Sequence, residues 1–248
     1  MHVLLPPSET KAPGGDGTPL DPAALGFPAL GPVREELIDR LVELCADPDR
    51  ARSALGLSAR QDAEIAVSAA VRTSPTRPAL ERYTGVLYDQ LDVAGLPPAA
   101  RVRASDRLLI ASALFGLVRG GDPIPAYRFS AGSRLPGCGP VAALWRPALA
   151  PVLAGLDGLV LDLRSGAYAA FAPAPGAVTV RVLSEAVPGD PATRSVVSHF
   201  SKAAKGRLAR ALVATRATVE DVPALIRVAR RAGLRVERTG ERTIDVVT

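Results

Sequence analysis

The sequence predicts a mixed α/β protein, one large domain over residues 1–248 with a mixed sheet flanked by helices. Three observations lead there. Apolar runs of strand length, such as residues 2–5, 158–163 and 177–183, alternate with longer segments whose apolar residues recur at helical spacing. The composition, 48% hydrophobic and 22% charged, is that of a chain able to bury a core. At 248 residues, the length suits one large domain better than two modules of the usual ~150 residues.

The opening run of residues 2–5 is halted by Pro6-Pro7 and reads as a buried strand leading into a polar turn, Ser8-Glu9-Thr10-Lys11. Residues 12–32 are rich in Pro and Gly and predict irregular chain over the surface. Leu37, Ile38, Leu41, Val42 and Cys45 mark one face of a helix over 33–46. Ser58 and Gln61 form a capping box that opens the next helix. Residues 80–93 read as a short helix broken at Gly85. Pro97-Pro98 starts a helix expected to run to about Phe115, burying Val102, Leu108, Leu109 and Ala113 and stopped by Gly116. The Gly- and Pro-rich stretch 117–134 is a loop of the kind that carries function. A helix over 140–153 holds the single tryptophan, Trp145, as a core residue. The last third predicts strands at 158–163, 177–183 and 194–200, the last one buried, then helices at 201–215 and 219–232. Two final strands within 234–247 form a hairpin at Thr239-Gly240-Glu241.

Several function classes drop out. Two cysteines, Cys45 and Cys138, and two histidines, His2 and His199, support neither a disulfide framework nor a zinc motif, so no metal and no cofactor are expected. No glycine-rich nucleotide loop follows a strand, and Ser8, Ser165 and Ser198 lack a nucleophile-elbow pattern. The apolar run at residues 3–7 is too short for a signal-peptide core or a membrane span, so a cytoplasmic protein without a membrane partner is expected.

Thirty Lys and Arg against 25 Asp and Glu give a net charge of +5. All but three of these cations are arginines, a bias that accounts for most of them. Two explanations stand for the three lysines, Lys11, Lys202 and Lys205: places where a compact ammonium serves better than a forked guanidinium, or chance. Residues 194–216 hold six cations and no acid, and Ser201, read as an N-cap, turns the first amides of a helix toward an anion. Two readings stand: a phosphate or carboxylate site, or a solvated basic helix. A second glycine-rich element, Leu135-Pro136-Gly137-Cys138-Gly139-Pro140, has the form of a helix-hairpin-helix turn or of an ordinary helix start. Tyr83, Tyr88, Tyr127 and Tyr168 lie outside helical stripes and suggest a cleft lining.

Along the chain stand, in order, Leu4-Leu5-Pro6-Pro7-Ser8-Glu9-Thr10-Lys11, Tyr83-Thr84-Gly85-Val86-Leu87-Tyr88, Phe115-Gly116-Leu117-Val118-Arg119 and Pro125-Ala126-Tyr127-Arg128. The Trp145 helix, Asp162-Leu163-Arg164-Ser165-Gly166-Ala167-Tyr168 and Ser198-His199-Phe200-Ser201-Lys202-Ala203-Ala204-Lys205-Gly206 follow. In this order they resemble the YaaA peroxide-stress protein family over nearly the whole chain. The resemblance implies a cytosolic protein tied to survival of hydrogen peroxide. It further implies an unusual mixed α/β fold with a positively charged cleft, DNA binding that involves a helix-hairpin-helix element, and no established enzymatic reaction. The chain departs from the family at 162–167, where Asn-Leu-Ala-Ser followed by an acidic residue is common. Two turns compete for the hairpin, the one after Phe115-Gly116 and the one at 135–140. The first is preferred, with Arg119, Arg128 and Arg134 close by.

The expected function is a DNA-binding protein of the peroxide stress response, holding the phosphate backbone of duplex or distorted DNA with low sequence specificity. The phosphate-binding candidates are Lys202, Lys205, Arg207, Arg210, Arg119, Arg128 and Arg134. Ser8, Lys11, Tyr127, Tyr168 and Ser201 are the polar candidates of the cleft. The alternative is an enzyme acting on a small phosphorylated or carboxylated molecule in the same anion pocket.

Overall fold

A computed structural model describes residues 1–196 and 201–248. The first strand, β1 (His2–Leu5), has Val3, Leu4 and Leu5 fully buried, as its unbroken apolar run requires of a strand covered on both faces. The helices α1 (Gly31–Cys45), α2 (Pro48–Leu55) and α3 (Asp62–Ala69) follow. Next come β2 (Arg77–Pro78), α4 (Ala79–Arg82), α5 (Val86–Leu91) and α6 (Pro98–Arg107). The middle of the chain holds β3 (Leu108–Ser112), β4 (Gly116–Arg119), β5 (Pro123–Ile124) and α7 (Val141–Ala154). It continues with β6 (Val160–Asp162), α8 (Gly166–Ala169), β7 (Val178–Glu185) and β8 (Arg194–Val196). The chain closes with α9 (Ser201–Ala214), α10 (Val222–Arg231), β9 (Arg235–Arg238) and β10 (Thr243–Val247).

The main sheet runs β4-β3-β1-β6-β7-β10-β9, with β8 also paired to β7. β1 is parallel to β3 and to β6, while β4, β8 and β9 pair antiparallel with their neighbours. From β1 the chain goes to β3 on one side and later returns to β6 on the other. The gap beyond the carboxyl ends of β1 and β6 is therefore a switch point, where open α/β sheets bind ligands. The α1 face Leu37, Ile38, Leu41, Leu44 and Cys45 is buried, and Gln61 Oε1 accepts from Ser58 N at 3.1 Å in the expected capping box.

The helix expected over 97–115 is overturned in its second half. It ends at Arg107, and Leu108–Ser112 is a strand hydrogen-bonded to β1 and β4; Val102 is 63% exposed. Five consecutive apolar or small residues fit a fully buried strand as well as a helix, and the partner β1 decides between them. The helix-hairpin-helix expectation falls with it. Gly116 opens β4, so two strands flank the turn before it, and residues 125–140 ahead of α7 contain no helix, so neither turn joins two helices. The strand at 194–196 is exposed at Val196 instead of buried, because it lies off the main path on β7. The expected continuation of that strand through Val197, Ser198, His199 and Phe200 lies outside the described residues.

Gly206 sets how closely α9 approaches α5. A Cβ built there would sit 2.2 Å from the Leu87 carbonyl oxygen, a backbone atom that cannot swing away. Gly206→Ala is expected to destabilise the fold by about 1–3 kcal/mol through overpacking. A melting temperature equal to that of the parent would show that α9 can slide outward.

Candidate functional site

A cavity of about 940 Å³ opens at the switch point. Residues 6–11 leave β1 along one side of it, residues 164–168 leave β6 along another, and the start of α9 supplies Ser201, Lys202 and Lys205. Three segments remote in sequence are thus brought together, two by the adjacency of β1 and β6 in the sheet and the third by the packing of α9 on α5.

The loop after β1 is tied down on the α4–α5 segment. Tyr88 Oη donates to Pro6 O at 2.8 Å, Thr84 N donates to Ser8 Oγ at 3.2 Å, and Ala12 N donates to Arg82 O at 2.8 Å. This pins Lys11 with its Nζ 4.2 Å from the centre of the Tyr127 ring and 5.4 Å from that of Tyr83. Among the described residues, the Lys11 amine donates only to backbone carbonyls, those of Ser8 at 3.2 Å and Glu9 at 3.3 Å. Burial, with Arg128 nearby, pulls its pKa down from 10.5 to about 7. Below it, Tyr83 Oη and Tyr127 Oη are 2.7 Å apart, and Tyr127 Oη is 2.8 Å from Ser112 Oγ. Burial drives both phenols well above their ordinary pKa, so the floor of the site is a neutral hydrogen-bonded chain.

The other cations are held to different degrees. Arg164 is enclosed, with Nη2 2.7 Å from Asp162 Oδ2 and Nη1 donating to Ala172 O at 3.1 Å, so it shapes the wall. Arg128 Nη2 pairs with Glu9 Oε2 at 2.8 Å across the cavity mouth. Lys205 Nζ donates to Leu163 O at 3.0 Å, and burial lowers its pKa. Lys202 lines the cavity and is exposed.

Of the residues singled out in the sequence, Ser8, Lys11, Arg128, Tyr168, Ser201, Lys202 and Lys205 meet at this cavity. Tyr127 lies beneath it, fully enclosed with Tyr83, while Tyr88 joins the lining. Ser201 is the first residue of α9 and not its N-cap, a position that falls outside the described residues. Arg119, Arg134, Arg207 and Arg210 do not line the cavity. Arg119 stacks on Phe27 at 5.0 Å, and Arg210 is taken up by the carbonyl of Leu91 at 2.8 Å and by Asp92 at 3.2 Å. Arg134 and Arg207 are exposed. Arg164 was missed as a site residue; its signal was the departure from the family pattern at 162–167. Cys45 is buried and Cys138 half-buried, both as free thiols, and burial raises the Cys45 pKa. Among the described residues no His, Cys, Asp and Glu side chains gather to hold a metal ion, and no helix is long and apolar enough to cross a membrane.

Fold and site together define a mixed α/β protein with a lysine-bearing polar cavity at the switch point of its sheet. A family profile described as peroxide stress protein YaaA matches residues 1–239, and the chain belongs to that family. It is 50% identical over 240 residues to a UPF0246 protein of Streptomyces coelicolor, covering 96% of this chain and 92% of the relative. It is 48% identical over 241 residues to a UPF0246 protein of Corynebacterium efficiens, covering 96% and 95%. Family membership ties the chain to peroxide stress.

Proposed function

We propose that the cavity binds the phosphate backbone of DNA during the response to peroxide, without strong sequence preference. The reading rests on one observation above all: Lys202 at the exposed lip and Lys205 deeper inside project from the first turns of α9 into a cavity that also carries Arg128. Ammonium and guanidinium groups at the start of a helix suit phosphate oxygens, and phosphate contacts give affinity without reading bases. A helix-hairpin-helix turn is not needed for this.

Three phosphate contacts, at Lys202, Lys205 and Arg128, correspond to a log-log slope of duplex affinity against salt of about −2.7, and Lys202→Ala/Lys205→Ala should reduce its magnitude by about 1.8. A flat slope in the parent protein removes the reading. The two lysines should also separate. Lys202→Arg keeps an exposed charge and is expected to leave affinity almost unchanged. Lys205→Arg places a bulkier fork where the ammonium meets the Leu163 carbonyl, and should weaken binding.

A second reading has its own support, since 940 Å³ lies within the roughly 300–1,000 Å³ of small-ligand pockets. A small phosphorylated or carboxylated molecule would use the same cations. Displacement of duplex by inorganic phosphate, at constant ionic strength, places both ligands in one cavity; unchanged duplex binding separates them.

A further inference from the structure

We propose that Lys11 is an amine nucleophile that captures the aldehyde carbon of a phosphate-bearing ligand as an imine. The inference rests on the anion-binding reading of the cavity and names the ligand chemistry that the cavity takes.

Phosphate binding alone leaves Lys11 unexplained. Its amine faces a cavity built for anions, yet it lies over two aromatic rings and touches no carboxylate oxygen. The charged groups around it are Arg128 from the 125–140 loop, Glu64 on α3, Arg82 on α4 and Glu9 on its own loop, with the Tyr83 and Tyr127 phenols beneath. Glu9 is engaged by Arg128, and the Arg82 fork is engaged by backbone carbonyls. A neutral amine has two N–H donors and one lone pair. The carbonyls of Ser8 and Glu9 accept the two donors, which leaves the lone pair for an electrophile. A lysine desolvated among aromatic rings and next to a cation is the usual form of an imine-forming lysine.

The step balances without an oxidant or reductant. The Nζ lone pair forms the N–C bond to the aldehyde carbon while the carbonyl π pair moves to oxygen. The two nitrogen protons then leave with that oxygen as one water, and a C=N bond remains. Lys202 and Lys205 on α9 hold the phosphate that the aldehyde carries.

Two sources share this chemistry: the ring-opened sugar of an abasic site within DNA, and a free phosphorylated aldehyde. The full-length chain is incubated with a duplex bearing one abasic site, and separately with glyceraldehyde 3-phosphate, each with sodium cyanoborohydride. Intact mass and peptide mapping then locate the adduct. The expected result is one adduct, at Lys11, absent in Lys11→Met and present in Arg134→Ala, a change at an exposed residue that does not line the cavity. Initial adduct formation per unit time should rise about tenfold from pH 6 to pH 8, because the neutral fraction of an amine with a pKa of about 7 rises by that factor. Which probe reacts assigns the source. Adducts confined to Lys202, Lys205 or the amino terminus, or no adduct with either probe, overturn the proposal. Melting curves of Lys11→Met and Lys11→Arg establish that the variants are folded. Binding of unmodified duplex by the parent protein is measured separately, so failure of the DNA reading is told apart from failure of imine capture.

Discussion

Trp145→Ala is expected to lower stability by about 3–5 kcal/mol, with a fall in Tm on the order of 10 °C. The indole is fully buried, and its Nε1 donates to Ala113 O at 2.7 Å, closing the α7 helix onto the end of β3. Gly116, with φ of +73°, lies so near that a Cβ would stand 2.6 Å from the ring, so the turn between β3 and β4 is built around the indole. Removing the side chain leaves a cavity and an unpaired carbonyl in the same place. Trp145→Phe should recover most of the packing while losing only the hydrogen bond. Urea melts followed by far-UV circular dichroism measure both. A loss under about 1 kcal/mol for the alanine variant would mean that α7 repacks freely against the sheet.

Arg82→Met should cost about 3 kcal/mol or more, and should abolish imine capture as well. The Arg82 side chain is fully buried, yet it lacks a carboxylate partner. Its guanidinium instead donates to three backbone carbonyls, those of Ile124 and Pro75 at 3.1 Å each and that of Ala12. Burial lowers its pKa to about 10, which still leaves the group charged at neutral pH. Methionine fills much of the volume but takes the guanidinium donor away from all three carbonyls, at about 1–3 kcal/mol apiece in the least relaxed case. The released Ala12 carbonyl adjoins Lys11, so the amine loses its fixed place over the Tyr127 ring. Arg82→Lys should rescue little, since a point ammonium cannot span three divergent carbonyls. Thermal melts report the stability loss, and reductive trapping of glyceraldehyde 3-phosphate reports the site. A variant that melts like the parent and still traps at Lys11 would show that the loop is held by other contacts.

Arg34 plays the matching part at the far end of the sheet. Its guanidinium donates to Phe115 O at 3.0 Å, Gly26 O at 2.7 Å and Leu117 O at 2.8 Å. Two arginines within an arginine-rich composition thus donate to six backbone carbonyls, those of Gly26, Phe115, Pro75 and Ala12 in irregular segments and those of Leu117 and Ile124 on β4 and β5. Nothing in their sequence context distinguishes them from the surface arginines around them.

Much of the molecule was legible in the chain itself, because local physics settles it. The apolar run of β1 stopped by two prolines, the α1 stripe, the Ser58 capping box and the break at Gly85 between α4 and α5 all appear where periodicity, capping and backbone freedom place them. So do the closing hairpin of β9 and β10 and the polar loop that delivers Ser8 and Lys11. Three features depended on partners distant in sequence. Residues 108–112 became a strand because β1 offers them a parallel edge, and with that strand the helix-hairpin-helix expectation was lost. Two of the six cations at 194–216 are answered by acids from elsewhere. Arg194 pairs with Glu185 at 2.9 Å and Glu237 at 2.7 Å, and Arg210 pairs with Asp92 at 3.2 Å. The lowered pKa of Lys11 also exists only once Tyr83, Tyr127 and Arg128 close around it. Sequence by itself determined which segments form elements and which polar residues are exceptional. The tertiary structure alone decided which charges remain unanswered and which become enclosed, since desolvation and ion pairing depend on distance in space and not along the chain.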